Sequence, residues 1–436
     1  MSNLELGLLS FPLLLLMIFL RAPIGLAMLI CGLGGLTIAT GGPNMVLAKL
    51  KSESYSTFSS YSLSIIPIFL LMGQFATLGG MSQALFRAAE SWLGHRRGGV
   101  AMAAIGACAG FGAICGSSLA TAATMSQVAL PELKRNGYPG GFSTATLAAG
   151  GTLGILIPPS VVLVIYAILT EQNIAKLFLA AFVPGVLAAI GYMIVVSLYV
   201  RRHPEAGGTL PRQPYLQRLR ALMNVWPVLL VFVLVVGGIY LGWFTPTEGA
   251  SVGAAGTGLI ALANGGLTWR TLKDSILATA QSTAMIFFIV LGAGLYNSFL
   301  AFSQVPQNLS EWVVGQGLSP WLVLVVILVF YMLLGCLMDS LSMILLTIPI
   351  FFPVVSQLDF GMSPEEVAIW FGILVLIVVE VGLITPPVGM NLFVINSMDR
   401  TTPMSATYAA VLWFVGADIV RVTILVLFPA ITLFLI

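Results

Sequence analysis

The chain has 436 residues, of which 58% are hydrophobic and 8% are charged, and its formal net charge is +2. A soluble domain carries about 25% charged residues, so this composition excludes an ordinary soluble protein and predicts a polytopic membrane protein. The small net charge gives no basis for nucleic-acid binding. The sequence has no Walker A loop, GxSxG motif or histidine-based constellation, so we expect neither an enzyme nor a bound cofactor.

The first half of the chain combines ordinary apolar helices with two exceptional segments. The ordinary elements are helices near 4–20, 24–41, 62–80 and 177–200 and an amphipathic stretch at 44–60. The exceptional segments are the Gly- and Ala-rich 99–131 and the apolar 143–170. The second of these contains Pro158 and Pro159, which remove two backbone donors and disfavour a continuous helix. We therefore expect a broken helix over 143–170.

The second half of the chain repeats this order. Shifted by 222 residues, 117–131 aligns with 339–353, and the double proline recurs as Pro386 and Pro387. We infer two repeats, 1–205 and 222–436, joined by a linker at 206–221. Each repeat is predicted to contain scaffold helices, a hairpin and a broken helix, at 1–60, 99–131 and 143–170 in the first and at 226–266, 321–354 and 365–398 in the second.

Basic residues predict the topology. The segment 201–222, which contains the linker, holds five arginines and one glutamate and is therefore predicted to be cytoplasmic. If 99–131 is a re-entrant hairpin, the basic residues that follow it stay on the same side as Arg96 and Arg97, whereas a simple crossing would separate them. The hairpin makes the number of crossings in a repeat odd. The two repeats then have inverted topology, and both termini are periplasmic.

Two cation sites are predicted where the hairpin tips meet the helix breaks. Non-helical backbone at membrane depth persists only where it is buried in protein or lines a watery cavity, and half-helix ends there offer carbonyl groups to a cation. Hydroxyl, carboxylate and carbonyl oxygens are suitable ligands for Na+. We expect no other metal ion. The expected ligands are Ser117, Ser118, Gly154, Ile157 and Pro159 in the first site and Asp339, Ser340, Gly382, Thr385 and Pro387 in the second.

Protons are the alternative coupling ion, because Asp339 and Glu380 are ionisable residues in apolar segments. The first site contains no acid, so a proton mechanism would account for only one repeat, and this favours Na+. Glu380 could instead cap or brace a helix. Asp418 and Arg421 are three residues apart on the last helix, and we expect them to form an ion pair.

Small polar residues near the breaks are candidate substrate contacts. They are Thr124, Ser160 and Asn391.

Four motifs resemble the large membrane subunit of tripartite ATP-independent periplasmic (TRAP) transporters, the DctM-like proteins. They are GSSLATAAT, GTLGILIPPS, GCLMDSLSMILLTIPIFFPV and EVGLITPPVGMNLFV, in this order along the chain. The resemblance covers essentially the whole sequence. Membership in the wider ion transporter superfamily implies an all-α fold and an elevator-type mechanism, in which hairpins and broken helices slide against a scaffold. It also implies the two sodium sites given above, apart from Ser340, which is assigned from its position alone.

The same resemblance implies partners. They are a small four-helix membrane subunit and a soluble periplasmic binding protein that delivers a small organic acid, such as a dicarboxylate or sugar acid. The expected location is the bilayer of the bacterial inner membrane. Because the chain starts with the first helix of the large subunit, we expect the small subunit to be a separate chain. A proton-coupled organic anion transporter and an anion channel, neither needing a binding protein, remain alternatives.

Overall fold

The computed structural model describes residues 2–436, and within this range the chain forms helices and no β-strand. The helices of the first half are α1 (Asn3–Phe19), α2 (Ile24–Thr40), α3 (Pro43–Ser59), α4 (Ile65–Leu78), α5 (Met81–Leu93), α6 (Gly99–Cys115), α7 (Ser118–Arg135), α8 (Gly140–Leu156), α9 (Val161–Thr170) and α10 (Ile174–Arg202). A short 3-10 turn, Ser62–Ser64, leads into α4.

The second half contains helices of more varied length, from 3 to 34 residues. They are α11 (Tyr215–Met223), α12 (Trp226–Phe232), α13 (Gly238–Tyr240), α14 (Pro246–Ala263), α15 (Trp269–Phe302), α16 (Val305–Gly315), α17 (Pro320–Gly335), α18 (Ser340–Val355), α19 (Pro364–Gly382), α20 (Met390–Met398), α21 (Met404–Leu427) and α22 (Pro429–Leu433). A π-helical turn, Val233–Gly237, joins α12 to α13.

The lengths and composition of these helices fit a membrane. Three single helices, α10, α15 and α21, are long and apolar enough to cross a bilayer. Three bent pairs reach the same criterion together: α3 with α4 at 55°, α8 with α9 at 44°, and α11 with the α12–α13 segment at 45°. The apolar helices α1, α2, α6, α17 and α18 are shorter. The molecule is therefore an all-α polytopic membrane protein.

The first halves of the two broken segments form the centre of the molecule. Every residue from Gly141 to Leu156 in α8 and from Val367 to Gly382 in α19 is buried. Helix α8 packs against α6 and α7, and α19 packs against α17 and α18, so each broken helix contacts the two helices that precede it as a pair. The helices of each pair, α6 with α7 and α17 with α18, also contact each other. The segments with double prolines thus lie inside protein, where irregular backbone can persist.

A second group of helices packs around α2, α4, α14 and α15. Helix α15 lies along α2, and α14 lies along α4. Glycines permit this close approach, because a Cβ atom on Gly32 would lie 2.7 Å from the backbone nitrogen of Tyr296. The scaffold helices predicted within 1–60 and 226–266 belong to this group. Helices α4 and α15, which lie outside those two ranges, join them.

Three short helices, α5, α11 and α16, were not predicted from the sequence. Helix α5 links α4 to α6, and α11 lies in the predicted cytoplasmic linker and packs against α5. In this contact the buried guanidinium group of Arg218 lies 5.8 Å from the centre of the Trp92 ring. Helix α16 occupies 305–315, between α15 and α17.

Candidate functional site

The turn between α6 and α7 is two residues long. Gly116 adopts a left-handed conformation (φ +64°) and ends α6, and Ser117 is extended and begins α7. The Ser117 hydroxyl accepts a hydrogen bond from the backbone N–H of Ala120 at 3.4 Å, which is the usual role of a serine N-cap. The C-terminal carbonyls of α6 and the N-terminal amides of α7 therefore meet at this tip.

The double proline after α8 leaves carbonyl groups unpaired. In an α-helix, each carbonyl accepts a hydrogen bond from the N–H four residues later. Pro158 and Pro159 stand at the donor positions for the carbonyls of Gly154 and Ile155, and proline has no N–H. Helix α8 therefore ends at Leu156 with free carbonyl oxygens at a buried position. This is why a break built from two prolines can present oxygens to a cation.

The first hairpin tip lies directly against the first break. A Cβ atom on Gly112 would lie 2.5 Å from the Cα of Gly154, and a Cβ on Gly154 would lie 2.7 Å from the carbonyl oxygen of Ser117. A Cβ on Gly116 would lie 3.0 Å from the carbonyl oxygen of Pro159. Only glycine fits at such distances. The structure therefore brings together three predicted residues of the first cation site, Ser117, Gly154 and Pro159.

Two further residues complete this region. Ile157 closes the last turn of α8 by donating its N–H to Leu153 at 3.1 Å, so its own carbonyl lies in the break. Thr121, which sequence reasoning missed, has a fully buried hydroxyl without a hydrogen-bond partner among residues 2–436. This hydroxyl would touch a Cβ placed on Gly154. Thr121 is one turn after Ser117, and this spacing was the signal that could have identified it.

The second hairpin tip has the same relation to the second break. A Cβ on Gly382 would lie 2.6 Å from the Cα of Gly335, which matches the contact between Gly112 and Gly154. Asp339 caps α18, and its carboxylate accepts hydrogen bonds from the backbone N–H of Ser342 at 3.1 Å and from the Ser342 hydroxyl at 2.5 Å. The carboxylate therefore stabilises both the N-terminus of α18 and the turn that forms the tip.

The second break differs from the first in its hydrogen bonds. Its backbone turns, with the N–H of Thr385 donating to the Gly382 carbonyl at 3.0 Å, and the Thr385 hydroxyl donates to the Val381 carbonyl at 2.6 Å. The carbonyl of Pro387 accepts a hydrogen bond from the Tyr408 hydroxyl of α21 at 2.6 Å. The carbonyls of Gly382 and Pro387 thus each have a partner, and one lone pair on each oxygen remains for a cation.

The two tips share one small cavity. Ser117 and Ser118 of the first tip and Asp339 and Ser340 of the second line a space of about 70 Å³. This volume holds a few water molecules or a partly hydrated ion. The hydroxyl and carboxylate groups of these four side chains carry oxygens of the kind that hard cations prefer. The hydroxyl of Ser340 also donates to the buried carboxylate of Glu380 at 2.6 Å.

The candidate substrate residues have different surroundings. Ser160 is fully buried and caps α9, with its hydroxyl accepting from the N–H of Leu163 at 3.4 Å. Asn391 is fully buried and donates to the carbonyl of Ala148 at 3.4 Å, and its own side-chain oxygen is unpaired in the described chain. Thr124 is partly buried on α7, which packs against α20. Ser160 therefore caps a helix beside the first break, and Asn391 and Thr124 lie on elements that contact each other.

The predicted ion pair on the last long helix is present. Arg421 and Asp418 are 2.8 Å apart and largely buried. Tyr192 of α10 donates its hydroxyl to the Asp418 carboxylate at 2.8 Å and lies 3.1 Å from the Thr152 hydroxyl of α8. This network therefore joins α21 to the central helix α8 through hydrogen bonds.

Comparisons with known proteins agree on one family. Residues 11–431 match the family model described as "Tripartite ATP-independent periplasmic transporter, DctM component". The chain is 38% identical to the C4-dicarboxylate TRAP transporter large permease protein DctM of Pseudomonas aeruginosa, over 92% of each chain. It is 32% identical to the protein of the same name from Rhodobacter capsulatus, over 98% of each.

Other relatives are named for different substrates, or are similar only in fold. The sialic acid TRAP transporter permease protein SiaT of Haemophilus influenzae is 30% identical over 96% of this chain, which spans 66% of that protein. The solved YdaH transporter of Alcanivorax borkumensis superposes with a TM-score of 0.64 at 15% identity and covers 88% of this chain and 89% of its own. These relatives are transporters and not enzymes. The chain belongs to the DctM family and is a large membrane subunit of the tripartite ATP-independent periplasmic transporters.

Proposed function

We propose that this subunit imports a small organic acid into the bacterial cytoplasm through the inner membrane, with Na+ as the coupling ion. The observation that carries the proposal is the shared cavity between the two hairpin tips. Its lining includes Ser117, Ser118, Asp339 and Ser340 together with apolar side chains. The first tip lies directly against the first break, where the double proline leaves carbonyls without a helical donor. The proposed ligands of the first site are hydroxyl and carbonyl groups, which do not take up a proton near neutral pH but do coordinate a hard cation.

The substrate class rests on the relatives. They are named for C4-dicarboxylate, sialic acid and isethionate, which are all organic acids. The relative with 38% identity is a C4-dicarboxylate permease, so a four-carbon dicarboxylate is the first substrate to test. Thr124, Ser160 and Asn391 are the proposed contacts. Helix N-termini at the tips would present amide groups to the carboxylates.

The proposed transport cycle divides the molecule into two bodies. The paired helices α6–α7 and α17–α18, with the broken helices α8–α9 and α19–α20, would carry the bound ions and the acid. The group around α2 and α15 would form the scaffold and bind the small four-helix subunit. We infer inverted repeats with re-entrant hairpins, periplasmic termini and an elevator motion of the first body. A soluble periplasmic protein would deliver the acid.

Charge movement sets a lower limit on the number of ions. Moving one negative charge inward against a potential of 100 mV costs about 2.3 kcal/mol. A monoanion therefore needs at least two Na+ for a net inward movement of positive charge. Two matched sites supply this minimum, and a dianion with two Na+ would move no net charge.

Uptake into proteoliposomes tests the proposal. The vesicles hold this chain and its small subunit, and they receive a periplasmic binding protein, a labelled C4-dicarboxylate and either a Na+ or a proton gradient. We expect uptake that requires Na+ and the binding protein. Ser117→Ala and Asp339→Asn should abolish it. The matched controls Ser251→Ala and Asp359→Asn change an exposed helix serine and an exposed loop aspartate and should leave uptake unchanged.

The alternatives give different results in the same assay. Uptake driven by a proton gradient in Na+-free buffer would move the coupling to Asp339 and Glu380. Passive flux without a binding protein would indicate an anion channel. Either outcome would contradict the sodium symport.

A further inference from the structure

Glu380 lies between the two hairpin tips. It is fully buried in the last turn of α19, and its Oε1 atom accepts the hydroxyl hydrogen of Ser340 in the second tip. Ser118 of the first tip lines the same cavity as Ser340, and its hydroxyl interacts with the same carboxylate. The other oxygen, Oε2, has no hydrogen-bond partner within residues 2–436. One carboxylate therefore faces a serine from each repeat.

No cationic side chain pairs with the Glu380 carboxylate in the described structure. Within residues 2–436, Glu380 forms no ion pair with a lysine, arginine or histidine. The nearby acid Asp418 is paired with Arg421, and Asp339 adjoins Ser340, so neither supplies a positive charge to Glu380. A buried carboxylate without a cationic partner is unfavourable. Cations bound beside Ser118 and Ser340 would supply the missing positive charge.

Hydroxyl chemistry explains how such a carboxylate could act on bound ions. A serine hydroxyl has one hydrogen to donate and two lone pairs with which to accept or to bind a cation. A cation is bound well only when the hydrogen points away from it. Glu380 accepts the hydroxyl hydrogen of Ser340. The lone pairs of the Ser340 oxygen therefore point away from the carboxylate and can bind a cation. Outer partners of this kind orient ligands at metal sites and raise their affinity.

We propose that Glu380 is a positioning residue that orients the hydroxyls of both Ser118 and Ser340 for the two cation sites at once. The inference rests on the sodium coupling proposed above. When the first site fills, Ser118 donates to the free Oε2 atom, while Ser340 already donates to Oε1. Each bound cation also stabilises the negative charge of Glu380, and this charge favours binding of the other cation. The carboxylate thereby makes Na+ binding cooperative between the two repeats.

Glu380→Gln separates this role from simple packing. The amide has nearly the shape of the carboxylate, but it offers one acceptor atom and one donor group, so it can accept a hydrogen from only one of the two serines. Loss of an outer partner typically lowers metal affinity by about 10- to 100-fold. We expect the Na+ midpoint to rise by at least about tenfold and the Hill coefficient for Na+ to fall towards one. The substrate KM at saturating Na+ should change little.

The experiment measures the melting temperature of the purified protein as a function of Na+ concentration, with choline as the replacement ion, and then Na+-dependent uptake in the reconstituted system. Glu366→Gln is the matched control, because Glu366 forms the exposed capping box at the start of the same helix and glutamine also serves in such a box. Combining Glu380→Gln with Ser340→Ala should give less than the sum of the two single effects. Glu380→Asp keeps the charge but is too short to reach both serines, and it carries the test if the amide variant does not fold.

Two results would overturn the inference in distinguishable ways. If Glu380→Gln lowers the melting temperature in Na+-free buffer but leaves the Na+ midpoint and the Hill coefficient unchanged, Glu380 only braces the tips. If the wild-type protein shows no Na+-dependent stabilisation, the sodium coupling itself is wrong and this role falls with it. A raised midpoint with lost cooperativity, confined to the Glu380 variants, supports the proposal.

Discussion

A methyl group added at Gly154 would test the contact between the first tip and the first break. In Gly154→Ala, the new Cβ would lie 2.7 Å from the Ser117 carbonyl oxygen and would also meet the Thr121 side chain. Atoms in ordinary contact are about 3.5 Å apart, so the tip must move by up to about 1 Å. The Thr121 side chain can rotate. The Ser117 carbonyl is backbone and moves only with the whole tip.

The expected effects follow from this displacement. Overpacking a filled interior costs about 1–3 kcal/mol, and replacing glycine by alanine within a helix returns up to about 1 kcal/mol. We expect a net loss of about 1–2 kcal/mol in the free energy of unfolding. Because two predicted ligands of the first site separate, the Na+ midpoint should rise at least about tenfold, which corresponds to about 1.4 kcal/mol.

Thermal unfolding in a series of Na+ concentrations measures both effects in one experiment. Gly416→Ala on α21 is the control, because its Cβ would meet no atom within 4 Å. This control should leave the melting temperature unchanged or raise it, since alanine favours the helix. A Gly154→Ala protein whose Na+ midpoint stays within about twofold of the wild type would show that the contact of tip and break is not the cation site.

Two further variants test contacts on α20 and α21. Asp399→Asn removes a carboxylate that accepts hydrogen bonds from Lys134 and Thr402. Burial alone would raise the pKa of Asp399, but these hydrogen bonds hold it well below its ordinary value. The stabilisation is therefore present above the unfolded pKa of about 3.9 and is lost as the pH falls below it. We expect the variant to lose about 1–3 kcal/mol at pH 7. Its melting temperature should fall less steeply than that of the wild type as the pH is lowered from about 5 to about 2, and equal slopes in this range would contradict the prediction. Tyr408→Phe removes the hydrogen bond to Pro387 and should cost about 1 kcal/mol without weakening Na+ binding, because the freed carbonyl gains a lone pair. A tenfold weaker Na+ response in uptake would instead mean that Tyr408 orients this carbonyl.

Local sequence signals account for the turns and breaks. Gly116 favours a left-handed turn, Ser117 and Asp339 are good N-caps, and paired prolines cannot continue a helix. Each of these signals depends on a residue's own backbone preferences, so it can be recognised without knowing the fold. The structure has its tips at 116–117 and 336–339 and its breaks at both double prolines.

Contacts between distant segments were not predictable in the same way. The hydrogen bond from Tyr408 to Pro387 and the one from Ser340 to Glu380 join residues that are 21 and 40 positions apart. Neither side chain carries a local pattern that names its partner. The short amphipathic helices α5, α11 and α16 were missed for another reason. They have 13, 9 and 11 residues and mixed polarity, so no membrane-length apolar run marks them.

The two tips resemble each other in packing but differ in charge, and this difference has a consequence for the proposed ions. Gly112 with Gly154 and Gly335 with Gly382 form equivalent close contacts, so each half of the chain brings a tip to a break in the same manner. The N-cap of the second tip, however, is the carboxylate Asp339, whereas the first has a serine hydroxyl. A cation in the first site would be held by neutral oxygens and the negative end of the α8 dipole. One in the second site would also face a full negative charge. If both sites bind Na+, the second holds its ion more tightly on electrostatic grounds, and the weaker first site then sets the Na+ concentration at which transport begins.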